Sequence, residues 1–159
     1  MPHLTEVMTR GDRAAVAVAE PAIQRRVGWT VYAKRLAAAC TGACYDCALA
    51  CTACVEACLA EDASALKRCI WVGQNTADVC LAVGRLLSRA PDASAEEIGP
   101  ILRVCMLACK MGQKETQVAA GSLDTCRAGA EACRRCESAC RRLAALLSTR
   151  RPVLLSPVI

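Results

Sequence analysis

Residues 40–58 read Cys40-Thr-Gly-Ala-Cys44-Tyr-Asp-Cys47-Ala-Leu-Ala-Cys51-Thr-Ala-Cys54-Val-Glu-Ala-Cys58, so the spacing between successive cysteines alternates between four and three residues. Residues three and four apart lie above one another on a helix, and these cysteines therefore share one face. The same alternation marks the a and d positions of a helix that packs against a partner. The sequence predicts a long helix whose buried stripe carries thiols where leucine is usual.

The composition favours a helical core around this stripe. Apolar types make up 55% of the 159 residues, but only 3% are aromatic and none is Phe. The interior must then be filled by Ala, Leu, Val, Ile and Cys, which is a helix-compatible set. A chain of this length makes one domain with a sizeable core.

The cysteine content also bears on the compartment. In a short secreted chain, 14 cysteines would suggest a disulfide scaffold. Residues 1–22 contain no continuous apolar segment and carry Glu6, Asp12 and Glu20, so no secretory signal is visible. We expect a cytoplasmic protein with reduced thiols. We also expect no membrane contact, since no apolar run approaches the roughly 18 residues of a membrane-spanning helix.

Four long helices are predicted, the first from about Trp29 to Ala60 and the second from about Ala63 to Arg89. Joined by short turns, they predict an all-α fold, an antiparallel up-down-up-down four-helix bundle over residues 28–148 with a cysteine-lined core. Residues 1–27 are expected to form an N-terminal arm or short helix. Residues 149–159 contain two prolines and are expected to form an extended C-terminal tail.

The boundaries of the last two helices depend on Gly, Pro and Ser. Ser94 and Glu97 resemble a capping box, but Gly99-Pro100 follows them, so the third helix is expected to restart at Pro100. Gly121 and Ser122 are expected to act as a stop and a cap, with the fourth helix running from Leu123 to about Leu147.

Antiparallel alignment of the four faces predicts the layers of the core. From one end they are Cys58, Cys69, Thr116 and Cys126; Cys54, Gly73, Gly112 and Gly129; Cys51, Thr76, Cys109 and Cys133; and Cys47, Cys80, Cys105 and Cys136. Next come Cys44 and Cys140 with Val83 and Leu102, then Cys40 with Leu87 and Leu143. The alignment predicts a thiol-lined tube that is closed by aliphatic side chains at the Cys40 end, and it leaves Cys54 as the only cysteine of its layer.

The chemistry of such a tube suits a soft metal ion. Disulfides fit poorly within one helix, because Cβ atoms at i,i+3 and i,i+4 are about 5 to 6 Å apart and a disulfide needs roughly 3.5 to 4.5 Å; between helices they remain possible. Iron–sulfur clusters usually take cysteines from a wrapping loop. Zinc could take two cysteines from each of two helices. Cu(I) favours thiolates and tolerates low coordination, which makes it the preferred ion. The candidate ligands are Cys40, Cys44, Cys47, Cys51, Cys54, Cys58, Cys69, Cys80, Cys105, Cys109, Cys126, Cys133, Cys136 and Cys140.

Other function classes are weighed against metal binding. A thiol redox or sensor protein would need exposed cysteines of lowered pKa, and a zinc-binding bundle uses the same ligands. No Ser, Asp or Glu arrangement suggests a nucleophile with its base, so no enzyme is expected. The net charge is +5, but arginines such as Arg134 and Arg135 alternate with Glu131 and Glu137, which favours a solvated face over nucleic-acid binding.

Three segments carry a family resemblance: residues 44–58, the pair Arg68-Cys69-Ile and Ala77-Asp-Val-Cys80, and the run Ala132-Cys-Arg-Arg-Cys-Glu-Ser-Ala-Cys-Arg141. Over residues 30–147 the chain resembles the cysteine-rich four-helix-bundle copper storage proteins of the cytosolic type. The resemblance implies that multiple Cu(I) ions bind cysteine thiolates along the core, and that copper is stored or sequestered in the cytoplasm. It also implies a homo-oligomer, commonly a tetramer.

The chain departs from the resemblance at several positions. Cytosolic relatives usually place histidines at the open end of the bundle, whereas His3 is the sole histidine here. Gly112 and Thr116 stand where relatives often have cysteines, so a lower copper capacity is expected.

Met106 and Met111 are expected to pack rather than to bind copper. The apolar tail is expected to be mobile or packed on its own subunit, with docking to another protein or subunit as the alternative.

Overall fold

The computed structural model describes residues 30–61, 63–89, 93–119, 121 and 123–149. These residues form α1 (Val31–Ala60), α2 (Lys67–Arg89), α3 (Ala95–Ala119) and α4 (Asp124–Ser148), and they contain no strand. Each helix packs against two others, in the order α1, α2, α3, α4 and back to α1. The predicted all-α four-helix bundle is confirmed. The predicted N-terminal arm, and the tail beyond Thr149, lie outside the described residues.

The first helix begins at Val31, close to the predicted start near Trp29. The side chain of Thr30 accepts a hydrogen bond from the backbone N–H of Ala33 at 3.3 Å, which caps one of the free donors of the first turn. Ala33 and Ala37 are buried and continue the cysteine face towards the N-terminus of α1. The stripe of small residues and thiols therefore faces the other helices along the full length of α1.

The start of α3 differs from the expectation that this helix begins at Pro100. The helix begins at Ala95 and includes Pro100. Ser94 and Glu97 form the capping box, in which the Glu97 N–H donates to the Ser94 hydroxyl at 3.2 Å and the Ser94 N–H donates to the Glu97 carboxylate at 2.7 Å. Ile98, 3% exposed, anchors this turn in the core. The capping box and the burial of Ile98 together offset the loss of the backbone hydrogen bond that Pro100 cannot donate.

Two other helix starts also differ by a few residues. The second helix begins at Lys67 rather than near Ala63, since residues 63–66 form turns and the first helical bond runs from the Ile70 N–H to the Leu66 carbonyl. The N-cap of α4 is Leu123 rather than Ser122, and it makes no side-chain cap bond. Such shifts are common at helix ends, because short turns and helical turns compete closely.

Aliphatic side chains close one end of the bundle as predicted. Leu102 and Leu143 are fully buried, and Leu87 is 5% exposed. Ile98 and Leu147 are buried beside them in the same apolar cluster. We call Leu87, Leu102 and Leu143 the leucine plug. Among the described residues the opposite end has no comparable plug, since half-buried Leu66, Ile70 and Leu123 pack against its small apolar cluster.

The exposed surface is charged on α4, as the sequence indicates. Arg135 pairs with Glu131 at 3.4 Å, and Arg141 pairs with Glu137. A Lys110 ammonium from α3 also lies 3.7 Å from Glu137. Met106 packs against the core as expected, but Met111 is 38% exposed. The arginines of α4 thus belong largely to a solvated, salt-bridged face.

The first helix also bears on the membrane expectation. By length and composition α1 could cross a membrane, because its many cysteines and alanines are apolar. The expectation that no apolar segment approaches the length of a membrane-spanning helix is therefore wrong. Core helices of soluble proteins meet the same criteria. The cysteine face of α1 is buried against the neighbouring helices, which is the arrangement of a core helix.

Candidate metal centre

The cysteines line the axis of the bundle, where the four helices bring them together. All 14 are free and buried. Thirteen of them have no exposed surface, and Cys69 retains 4%. Each helix contributes because its cysteines recur at spacings of three, four, seven or eleven residues, which keeps them on the core face. The thiols form the centre of the core, with aliphatic side chains around and below them.

The sulfur atoms are close enough to share metal ions. Their hydrogen-bonded Sγ–Sγ distances run from 3.4 Å, between Cys40 and Cys140, to 4.0 Å, between Cys47 and Cys51. Four sets have all their sulfur atoms within 4.8 Å of one another. They are Cys44, Cys105, Cys136 and Cys140; Cys47, Cys80, Cys109 and Cys136; Cys47, Cys51 and Cys133; and Cys54, Cys58, Cys69 and Cys126.

Three of these sets are linked. Cys136 belongs to two of them and Cys47 also belongs to two, so one thiol network runs along the middle of the bundle. Cys40 joins it through its contact with Cys140. We call these ten cysteines the inner compartment. The predicted layer of Cys47, Cys80, Cys105 and Cys136 lies inside it, with Cys80, Cys105 and Cys136 in mutual contact at 3.9 to 4.0 Å.

The fourth set stands apart at the end opposite the leucine plug. Cys69 at the start of α2 lies 3.8 Å from Cys54 and 3.7 Å from Cys58 of α1, and Cys126 of α4 lies 3.5 Å from Cys58. We call this set the outer compartment. It shares no member with the other sets, and within the described residues no thiol–thiol hydrogen bond joins it to them.

The expected layers are therefore wrong in two places. Cys54 lies with three other cysteines rather than alone, since it is one turn from Cys58 and both contact Cys69. Cys109 lies 3.6 Å from Cys80, in the set with Cys47 and Cys136, rather than in the set with Cys51 and Cys133. Side chains at a and d positions fit between layers of the facing helices, so one thiol can belong to two neighbouring sets.

Hydrogen bonds between thiols shift their pKa values in opposite directions. The pKa of Cys40 is lowered to about 5, chiefly because the Cys140 thiol donates to it. The pKa of Cys69 is lowered to about 6 by hydrogen bonds from Cys54 and then Cys58, against the opposing effect of burial. Burial raises the pKa of Cys58 to about 12. Because thiolate is the form that binds metal, the lowered pKa of Cys69 favours metal binding in the outer compartment.

The four sets can hold soft metal ions. Thiolate sulfur is the donor that Cu(I) prefers, and four cysteines also make a zinc site. The described residues contain no histidine, so among them no imidazole can assist in binding or exchange. The sequence model of the copper storage proteins matches residues 33–145, which is more than two thirds of the chain. The chain belongs to the copper storage protein family.

Solved structures support this membership of the copper storage family. A cytosolic copper storage protein from Streptomyces lividans, in a structure with five coppers, is 39% identical and matches with a TM-score of 0.70, over 73% of this chain and 98% of that chain. The same protein loaded with 10 copper equivalents is 41% identical, with a TM-score of 0.66 over 70% of this chain and 85% of that chain. No curated protein matches this chain.

Sequence reasoning named every cysteine of these sets. In this copper storage protein it treated Thr116 only as a lost copper ligand, and it gave no role to Thr76. Thr76 and Thr116 are the buried polar side chains of the described core, at 1% and 0% exposure. Their places on the cysteine faces were predicted. What the sequence could not show is that both lie between the inner and outer compartments.

Proposed function

We propose that this copper storage protein holds multiple Cu(I) ions in its core through cysteine thiolates and serves as a cytoplasmic store or sequestering site. The 14 cysteines named above are the proposed ligands. The observation that carries the proposal is the inner compartment, because ten linked thiols have no use in a core that needs only apolar packing. Burial also argues against a thiol redox or sensor protein, since a sensor needs accessible cysteines.

Charge favours clusters of copper over isolated ions. When two thiols release their protons and take up one Cu(I), the local charge changes by minus one. Repeated along a buried row, this would place several negative charges in a medium of low dielectric constant, which is costly. If each thiolate bridges two coppers, the ratio approaches one copper per cysteine and the row is nearly neutral. The membership of Cys47 and Cys136 in two sets each supports such bridging.

Anaerobic titration of the reduced protein with Cu(I), against a competing chelator, tests the proposed function. We expect several Cu(I) ions per chain to bind more tightly than the chelator, and to displace zinc added beforehand, because thiolates prefer the softer ion. Circular dichroism should show a helical protein before copper is added, since protonated cysteines pack as small apolar residues. Tighter retention of zinc than of copper would favour a zinc-binding bundle and contradict the proposal.

We further propose that the chain is a store rather than an enzyme, and that it does not act on nucleic acids or membranes. The family membership and the salt-bridged arginine face support this view. We also retain the proposed division into an N-terminal arm at residues 1–27, a bundle at 28–148 and a C-terminal tail at 149–159. The helix limits Val31 and Ser148 fit within the proposed bundle.

The homo-oligomer implied by the family is proposed to form through α3. Its outer face exposes Val104 (56%), Leu107 (61%), Met111 (38%) and Val118 (77%). Val104, Met111 and Val118 are seven residues apart, which is the spacing of a helix that packs on another helix. Because Val104 and Val118 are equally distant from Met111, a second copy can lie antiparallel on this stripe with matching contacts.

Mass measurement by light scattering in solution tests the oligomer. We expect Leu107→Glu to lower the molar mass of the wild-type assembly, since it places a charge in an apolar interface. Leu49→Glu is the control, because Leu49 is 73% exposed on α1. Deletion of residues 150–159 tests whether the tail docks to a neighbouring subunit. An unchanged molar mass for Leu107→Glu would contradict an interface through α3. An unchanged molar mass for the deletion variant would contradict docking of the tail to a neighbouring subunit.

A further inference from the structure

The cysteine rows of α2, α3 and α4 are interrupted between the two compartments, whereas the row of α1 continues from Cys51 to Cys54. Two threonines lie at this interruption. An ideal Cβ at Gly112 would lie 2.8 Å from Thr76 Oγ1 and 3.0 Å from Cys133 Sγ, so Thr76 stands beside the last thiol of the inner compartment. An ideal Cβ at Gly129 would lie 3.6 Å from Thr116 Cγ2 and 3.5 Å from Cys54 Cβ. Thr116 thus stands beside the first cysteine of the outer compartment. The two threonines form a layer between the compartments.

This threonine layer offers little to a soft ion. The Thr76 hydroxyl donates to the Val72 carbonyl at 2.8 Å and also lies 3.2 Å from the Ala108 carbonyl. The Thr116 hydroxyl donates to the Gly112 carbonyl at 2.8 Å. Both hydroxyls are therefore held by backbone groups, and oxygen is a harder donor than Cu(I) prefers. A copper ion that crosses this layer must exchange sulfur ligands without a sulfur atom between them.

The two ends of the bundle differ in how fully their side chains are buried. The inner compartment borders the leucine plug, whose residues are 0 to 5% exposed. The outer compartment includes Cys69, which alone among the cysteines retains exposed surface. Among the described residues, buried Ala119 and half-buried Leu66, Ile70 and Leu123 pack against it. Copper that leaves the inner compartment along the axis therefore reaches solvent through the outer compartment.

We propose that Thr76 and Thr116 divide the core into two copper compartments, an inner store of ten cysteines and an outer exchange site formed by Cys54, Cys58, Cys69 and Cys126. Copper passes as Cu(I) throughout, by exchange of thiolate ligands, with no change in oxidation state. The threonine layer is the slow step between the compartments. This inference rests on the proposed copper storage, and it concerns how copper is held and released rather than whether it binds.

Release kinetics of the fully loaded protein test the division. With excess chelator under anaerobic conditions, the wild type should lose copper in two phases. The fast phase should carry a share near four fourteenths of the total, because four of the 14 cysteines form the outer compartment. The double variant Thr76→Cys with Thr116→Cys supplies sulfur across the gap. We expect its two phases to merge into one and its copper capacity to rise.

The matched control is Thr76→Val with Thr116→Val, which keeps the branched shape and adds no sulfur. This control should retain two phases, and merging of the phases in it would overturn the role given to sulfur. If the cysteine variant does not fold, replacement of Cys54, Cys58, Cys69 and Cys126 by serine gives a second test, since it should abolish the fast phase and leave the slow one. Release from the wild type in one phase, or a fast phase that survives this replacement, would contradict the division. Failure of the wild type to bind Cu(I) at all would instead contradict the proposed storage.

Discussion

Replacing Cys47, Cys80, Cys105 and Cys136 together by serine should remove more bound copper than replacing Cys40, Cys58, Cys69 and Cys126. Both variants lose four thiols, so independent ligands would give equal losses. The first set, however, includes both cysteines that belong to two sets, and its removal breaks all three linked sets of the inner compartment. The second set removes only Cys40 from that compartment. Because shared thiolates keep the copper row near neutrality, broken sharing should release copper beyond the four ligands lost.

Copper per chain, measured after removal of loosely bound ions, checks this order. Serine is a suitable replacement, because a buried hydroxyl in a helix can donate to the carbonyl four residues earlier, as Thr76 and Thr116 do. The variant that lacks Cys40, Cys58, Cys69 and Cys126, which we call the peripheral variant, serves as the control for the general effect of four buried serines. Circular dichroism of both metal-free variants confirms that helix content is retained. An equal or greater loss of bound copper from the peripheral variant would contradict the proposal that copper binds as clusters with shared thiolates.

The faces of the helices were predictable from sequence because they depend only on local periodicity. The six cysteines of α1 recur at alternating spacings of four and three, and each has no exposed surface. The same reasoning placed Cys69, Thr76 and Cys80 on one face of α2, where all three are buried. A helix repeats every 3.6 residues whatever surrounds it, so a stripe in the sequence becomes a stripe in space.

The axial register of the helices was less predictable, because it depends on turns and on interdigitation. Residues 63–66 form turns rather than helix, and Cys69 therefore lies near the start of α2, where it contacts both Cys54 and Cys58. Flat layers assign each cysteine to one level, whereas side chains between helices fill spaces between levels. The isolation of the outer compartment follows from this register, and spacing alone could not reveal it.

Truncation of the leucine plug should have the second large effect, which is on the free energy of unfolding. Leu102→Ala and Leu143→Ala should each lower the free energy of unfolding of the reduced, metal-free protein by about 2 to 5 kcal/mol. Both side chains are fully buried among Leu87 and other apolar residues, so truncation removes contacts and leaves a cavity. Denaturant unfolding followed by circular dichroism measures the change. Leu49→Ala is the control, because Leu49 is 73% exposed and such a surface change should stay within about 0.5 kcal/mol.

The same plug variants distinguish stability from copper retention. The plug contributes no sulfur, so Leu102→Ala should leave the number of bound coppers unchanged, because all 14 ligands remain. Opening of the closed end should nevertheless give chelator a second path to Cys40 and Cys140, which lie next to the plug and 3.4 Å from each other. The slow phase of copper release should then accelerate while the fast phase, which belongs to the opposite end, keeps its rate. Acceleration of both phases together would mean that the variant loosens the whole bundle, and an unchanged slow phase would mean that the leucines do not control access.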